Sequence, residues 1–194
     1  TAVIDANKDD LYNSVTPIVT DTLVAGYQST TGSVATVWVL WDYEGLSVYA
    51  EVDEKTPNDN GLSETYKVDS VEVFLDENNS KSKQLDDDDA QYRVTMNGRT
   101  EAGMRGKSVF TSASKMSNGK YAVEMKLPWQ GIIPEDGVTV GFNAAVNDGQ
   151  SMALRVCVMH WYSDSPGCYM DTSVYGELKL ELVENYENYN GTNR

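Results

Sequence analysis

The chain has 194 residues, with 30 acidic side chains against 15 basic ones and a net charge of −15. That length suits one domain with a substantial core. The charge argues against nucleic acid and against anionic membranes, both of which recruit basic surfaces, and leaves calcium and neutral, hydroxyl-rich ligands as compatible partners.

No apolar run is long enough to span a bilayer and no leader or lipidation motif is recognisable. With Thr1 rather than Met at its start, the chain reads as a processed product or an excised domain. Val3-Ile4-Asp5 reads as an entry strand or turn, and Asp9 to Tyr12 as a helical turn. Residues 18–24 form a modest strand. Residues 35–41 and 46–52 are strong strands joined by Asp42-Tyr43-Glu44-Gly45, with Val37, Val39 and Trp41 on one face. A polar loop over 53–65 delivers Tyr66 to the next strand. There, Val71, Val73 and Leu75 alternate with Ser70, Glu72 and Phe74, the two-residue period of a strand. After an acidic loop, Tyr92, Val94 and Met96 alternate with Gln91, Arg93 and Thr95.

Residues 99–108 are rich in Gly and charge and read as irregular, with strand character resuming near Val109. Asn118-Gly119 is a hairpin turn signal, and 121–127 alternates as a strand. In the strand over 138–146, Phe142, Ala144 and Val146 point inward and Asn143, Ala145 and Asn147 outward. Residues 153–161 form a further strand, 162–170 a loop, and 176–183 the closing strand. About ten short strands, few helices and regular turns predict an all-β fold, an antiparallel β-sandwich of jelly-roll type. The domain is expected over 1–183, with 184–194 a polar tail or linker.

An antiparallel pairing of the two central strands turns Glu72 and Arg93 to the outward face, in a register that allows a direct cross-strand pair. An arginine beside a carboxylate lowers its pKa, which is wrong for a general acid. This weakens a glycosidase built on Glu72 with Asp69, since such enzymes use two acids at a fixed separation. No nucleophile motif is present. His160 reads as structural; a haem held by His160 and a methionine rests on residue type alone. The acidic clusters Asp76-Glu77-Asn78-Asn79 and Asp86-Asp87-Asp88-Asp89 supply the hard oxygens that calcium needs, and they also fit a solvated charge run. Cys157 and Cys168 are spaced for a bridge closing a short loop, which would imply an oxidising compartment, or are two thiols. Tyr66 and Tyr169 sit at loop–strand junctions outside the alternating core, where aromatic faces could pack on a sugar ring.

The stretches Asp69-Ser70-Val71-Glu72-Val73-Phe74-Leu75-Asp76-Glu77-Asn78-Asn79 and Asp87-Asp88-Asp89-Ala90-Gln91-Tyr92-Arg93-Val94 resemble the family 9 carbohydrate-binding modules of secreted bacterial xylanases and related plant-wall hydrolases. The resemblance continues through Val3-Ile4-Asp5, Val39-Leu40-Trp41-Asp42, Gly141-Phe142-Asn143 and Tyr175-Gly176-Glu177-Leu178. It implies a calcium-bearing sandwich without catalysis that holds the reducing-end sugar of a glucan or xylan between two aromatic rings. Those rings, tryptophans in the family's characterised members, correspond to Tyr66 and Tyr169, and the acid and arginine beneath the sugar to Glu72 and Arg93. A binding-site glutamine of the family corresponds to Ala145 and an asparagine to Thr95. The expectations that follow are a secreted, monomeric module tethered to a catalytic domain. Asn143 and Asn147 are expected to help bind the glycan, and Asp76, Asn78, Asp87, Asp88 and Asp89 to hold Ca2+. A Cys157–Cys168 disulfide would order the loop that carries Tyr169. The alternatives are a calcium-binding structural or adhesive surface domain and a haem or redox sandwich.

Overall fold

The computed structural model describes residues 1–26, 32–59, 61–107, 109–150 and 154–182. Its strands in chain order are β1 (Ile18–Val19), β2 (Thr22–Gly26), β3 (Gly32–Asp42), β4 (Gly45–Glu54), β5 (Ser70–Asp76) and β6 (Asp89–Thr95). They continue as β7 (Thr100–Ala102), β8 (Thr111–Ser117), β9 (Lys120–Pro128), β10 (Thr139–Gln150), β11 (Leu154–His160) and β12 (Gly176–Lys179). One sheet runs β1-β3-β4-β9-β8 and the other β2-β11-β10-β5-β6-β7, every pairing antiparallel. β12 lies beside the first half of β10 and β11 beside the second half, so one long strand carries two neighbours on one edge.

The sheets face each other across one core. Leu46, Val48, Ala50 and Val52 from the first sheet pack on Val71, Val73, Leu75, Tyr92, Val94, Phe142, Ala144 and Val146 from the second. These are the inward-facing sets that the two-residue period picks out in β4, β5, β6 and β10. The other face of the first sheet is partly covered by the N-terminal segment: Ala2 and Tyr12, the latter in the 3-10 turn Asp10–Ser14, pack on Leu40 and Tyr49. The hairpin turns are tight. Asp42 pairs with Gly45 around Tyr43-Glu44, and Asn118-Gly119 takes positive φ at both residues, as the twist-matched two-residue turn requires.

The structure differs from the sequence reading in a few elements. Residues 18–24 are not one strand. Thr20 is fully buried, its hydroxyl accepts from Ala35 N at 2.8 Å and its N–H donates to Ala35 O at 3.0 Å. The chain turns there, sending β1 into the first sheet and β2 into the second. The irregular stretch 99–108 contains the short strand β7, and β8 begins at Thr111. The closing strand stops at Lys179, although Leu180 still exchanges backbone bonds with Gly137 and Val138. Val183 and the expected tail 184–194 lie outside the described residues.

Candidate functional site

On the second sheet, the face away from the core carries a row of directly paired residues: Glu101 on β7, Arg93 on β6, Glu72 on β5, Ala145 on β10 and His160 on β11. The Glu72–Arg93 register expected from alternation is the one observed. Glu72 is buried yet fully engaged. Its Oε1 accepts from Arg93 Nε at 2.7 Å and from Asn147 Nδ2 at 2.6 Å, and its Oε2 accepts from Gln91 Nε2 at 2.8 Å. Burial alone would raise this carboxyl, but the guanidinium and the two amides outweigh it and hold it below the usual carboxylate range. Arg93 also donates through Nη1 to Thr65 Oγ1 at 3.0 Å and to Glu101 Oε2 at 2.8 Å. The result is a rigid polar floor whose side chains are fixed before any ligand arrives.

Above this floor lies a cavity of about 360 Å3. Tyr66, in the 3-10 turn Thr65–Lys67, and Tyr169, in the 3-10 turn Cys168–Met170, both line it and are 36% and 42% exposed. Glu72, Gln91, Arg93, Asn147 and Arg155 supply its polar surface, and Val24, Ala25, Phe74, Val158 and Pro166 an apolar wall. A half-exposed aromatic pair over a polar floor is matched to a pyranose, whose C–H faces pack on rings and whose hydroxyls need donors and acceptors.

The structure therefore brings Tyr66, Glu72, Arg93, Asn147 and Tyr169 to one cavity. Asn143 is corrected: it is fully buried behind the wall, where its Nδ2 donates to His160 Nδ1 at 3.1 Å and its Oδ1 accepts from Tyr162 N at 3.1 Å. It braces the loop that leads to Tyr169. The disulfide is corrected as well. Both cysteines are thiols, because the two side chains belong to separate clusters. Cys157 packs with Met159 and Val34, and Cys168 with Phe74, Ala145 and Tyr175. The Tyr169 loop is held instead by Tyr175 Oη, which donates to Cys168 O at 2.8 Å. His160 is buried, with Nδ1 3.1 Å from Asn143 Nδ2 and Nε2 4.0 Å from Cys168 Sγ. Asp69 faces away from the cavity and receives Asn58 N at 2.6 Å and Gly149 N at 2.8 Å.

Two polar lining residues, Gln91 and Arg155, escaped the sequence reading. Gln91 shares a face with Arg93, and period two alone could have found it. Arg155 could not be found that way. The β10–β11 register pairs Asp148 with Cys157 but Gly149 with Arg155, leaving Val156 as an extra residue. This bulge flips the parity, so Arg155 joins Val158 and His160 on the cavity side.

Carboxylates gather in two further places. Ligand oxygens of Asp76, Asp88 and Asp89 lie within 4.8 Å of one another, at the end of the β5–β6 hairpin. Asn78 donates to Asp88 through its side chain at 2.7 Å and its backbone at 2.8 Å. Asp87 is corrected as a member of this group: it is fully exposed and pairs with Arg105 at 2.5 Å. Glu54, Asp69 and Asp148 form a second, wholly buried cluster that sequence spacing did not show, because its members come from three distant segments. Burial and neighbouring acids raise Asp69, Asp89 and Asp148 to about 7. Asp89 Oδ1 and Asp148 Oδ2 are buried without a hydrogen-bond partner.

Comparison with known proteins gives the family. The family model described as carbohydrate family 9 binding domain-like matches residues 4–182. Endo-1,4-beta-xylanase A of Thermoanaerobacterium saccharolyticum is 36% identical over 181 residues, 93% of this chain. Exoglucanase XynX of Acetivibrio thermocellus is likewise 36% identical over 93% of the chain. The chain spans only 15% and 16% of the length of these two relatives. Among solved structures, a carbohydrate binding module family 9 from Caldicellulosiruptor kristjanssonii in complex with cellotriose superposes with a TM-score of 0.86. It shows 30% identity, with 96% of this chain and 92% of that one covered. The same kind of module in complex with glucose gives 0.85 at 30% identity, covering 95% and 94%. On the match to the family model and on these relatives, the chain belongs to the carbohydrate family 9 binding domain-like family.

Proposed function

We propose that the cavity binds the reducing-end or terminal sugar of a cellulose- or xylan-type chain, without catalysis, and that the module tethers a secreted glycoside hydrolase to polysaccharide. The observation that carries this reading is the preformed Arg93–Glu72–Asn147–Gln91 network beneath two half-exposed tyrosines. Tyr66 and Tyr169 pack on the sugar faces, and the floor groups bond its hydroxyls. The site itself supports a reading without catalysis. Among the described residues Glu72 is the only carboxylate lining the cavity, and it is held ionised by an arginine, whereas a glycosidase works with two acids and needs one of them protonated. Tethering and secretion are supported by the xylanase and exoglucanase names of the relatives and the small fraction of them that this chain spans.

Ca2+ belongs to the same reading. The buried, unpartnered oxygens of Asp89 and Asp148 fit a hard cation, since each would otherwise forgo its hydration with no compensating bond. Asp76, Asp88 and Asp89 would hold one ion and Glu54, Asp69 and Asp148 another. Such ions would fix the hairpin end and the strand ends rather than touch the sugar.

The test is titration calorimetry with cellobiose and xylobiose beside their borohydride-reduced forms. Binding confined to the unreduced sugars supports a pocket closed around the reducing end, and a Tyr169→Ala protein should lose about tenfold in affinity, the scale of a lost aromatic contact. A Tyr169→Ala protein that binds as well as the parent would remove the clamp from the argument. Calcium-dependent melting without heat from any glycan would favour the structural or adhesive alternative.

A further inference from the structure

The charges of the cavity are unevenly placed. Of the described arginines, Arg93 faces Glu72 and Glu101, Arg99 faces Asp59, and Arg105 faces Asp87. Arg155 faces no carboxylate among the described residues. This happens in a chain where acids outnumber bases 30 to 15, so a guanidinium left open is against the odds. The reason is local. The bulge at Val156 puts Arg155 on the cavity side, where its neighbours are Asn147, whose Oδ1 accepts from Arg155 Nη1 at 3.1 Å, and the Tyr66 ring, 5.4 Å away. The remaining N–H donors of the guanidinium are uncommitted among the described residues.

The other charges around it are already matched. Glu72 is neutralised by Arg93 and two amides, and Lys67 beside Tyr66 is paired with Glu64 at 3.0 Å. Both carboxylates of the floor, Glu72 in the lining and Glu101 beside it, are bonded to Arg93, so Arg155 is the one lining cation without a carboxylate among the described residues. A neutral sugar would leave this charge facing only hydroxyls. A guanidinium's planar fork is matched to a carboxylate, which it can hold by two parallel charge-assisted bonds.

We propose that the cavity prefers a sugar bearing a carboxylate, a uronic acid or an oxidised, aldonic chain end, and that Arg155 receives the carboxylate at its mouth while Tyr66 and Tyr169 hold the sugar. This rests on the reading of the cavity as a sugar site. It makes Arg155 a specificity-determining residue of that site and links the module to acid-decorated or oxidatively cleaved polysaccharide.

The experiment is calorimetry of the whole chain at neutral pH with four probes: glucose, glucuronamide, glucuronate and gluconate. Glucuronamide keeps the shape of the uronic acid without its charge. The expected result is about tenfold tighter binding of glucuronate or gluconate than of glucose, as a charge-assisted pair supplies. Which of the two acids gains shows whether the carboxylate sits on the ring or at an opened end. In an Arg155→Gln protein the ratio of acid to glucose affinity should collapse to about one or below, whatever happens to either affinity alone, and Arg155→Lys should restore part of it. Glucose bound as tightly as both acids, or a ratio unmoved by Arg155→Gln, overturns the inference and leaves the sugar site standing. No heat from any of the four probes, nor from cellobiose or xylobiose, overturns the sugar site and this inference with it.

Discussion

Replacing Arg93 by methionine tests whether the floor of the cavity is a buried ion pair. The side chains of Arg93 and Glu72 are only 7% and 6% exposed, and Nε and Oε1 are 2.7 Å apart. Arg93→Met keeps the length of the apolar stem and removes the cation, leaving the Glu72 carboxylate with the amides of Gln91 and Asn147 alone. Breaking one side of such a pair costs about 3–5 kcal/mol. Glu101 also loses its partner, but it is 43% exposed and that bond is worth little in water. At about 2–4 °C per kcal/mol for a domain of this size, the melting midpoint should fall by about 6–20 °C.

The loss also has a pH signature. In the parent the folded-state pKa of Glu72 is depressed, so its contribution to stability is present above the unfolded value near 4.5 and is lost as pH falls through the folded value. Without Arg93, burial dominates and the carboxyl prefers its proton. The gap between parent and variant in urea unfolding should therefore widen from pH 4 to pH 7. Adding Glu72→Leu to Arg93→Met removes the stranded charge and should recover most of the loss, while the two amides turn to water in the cavity. A loss under about 1 kcal/mol at pH 7, or a double variant no more stable than the single one, would refute the pair as the organising contact of the floor.

His160 is buried as the neutral imidazole, its pKa lowered by burial to about 4 from 6.5. Its contribution to stability is present above pH 6.5 and is lost as pH falls toward 4. At 1.36 kcal/mol per unit this amounts to about 3 kcal/mol, so His160→Gln should remove that much of the acid sensitivity in urea titrations. In chelator-treated protein the raised carboxyls of Asp69, Asp89 and Asp148 act in the opposite sense. Their stabilising protons are fully present below about pH 4 and lost as pH rises through about 7, so the metal-free protein should weaken over that window. Calcium at a hundred times its dissociation constant should add about 2.7 kcal/mol at pH 7.5, and a melting point indifferent to calcium would remove the ion from both clusters. Gly26 has φ of +78°, and a Cβ there would lie 1.7 Å from Val156 O. Gly26→Ala should cost about 2–4 kcal/mol by thermal melting and weaken sugar binding, since it pushes on the bulge that presents Arg155.

Much of this protein is written in period two. Alternation over residues 70–76 and 89–96 marked both the core set of Val71, Val73, Leu75, Tyr92 and Val94 and the outward pair Glu72–Arg93, because a strand with one face in a core fixes its own register. The motif around those strands was long enough to point to the family, and loop–strand junctions were enough to single out Tyr66 and Tyr169. These features are local: each depends on residues within a few positions of one another.

What the tertiary structure alone decided depends on breaks in that period and on meetings between distant segments. The bulge at Val156 carries Arg155 to the cavity side, and alternation from His160 turns Cys157 to the face away from the cavity that Cys168 lines, so a spacing suited to a bridge holds two thiols in separate clusters. Asn143 has the outward parity of Asn147, yet it is covered by the loop that it braces, so parity gives its face but not its access. Glu54, Asp69 and Asp148 meet from the ends of β4, β5 and β10, and Asp87 turns to Arg105 while its neighbours Asp88 and Asp89 converge. A one-residue slip or a covering loop reverses what a side chain sees at no cost to the local pattern, so alternation can fix a strand's two faces but not where its neighbours lie.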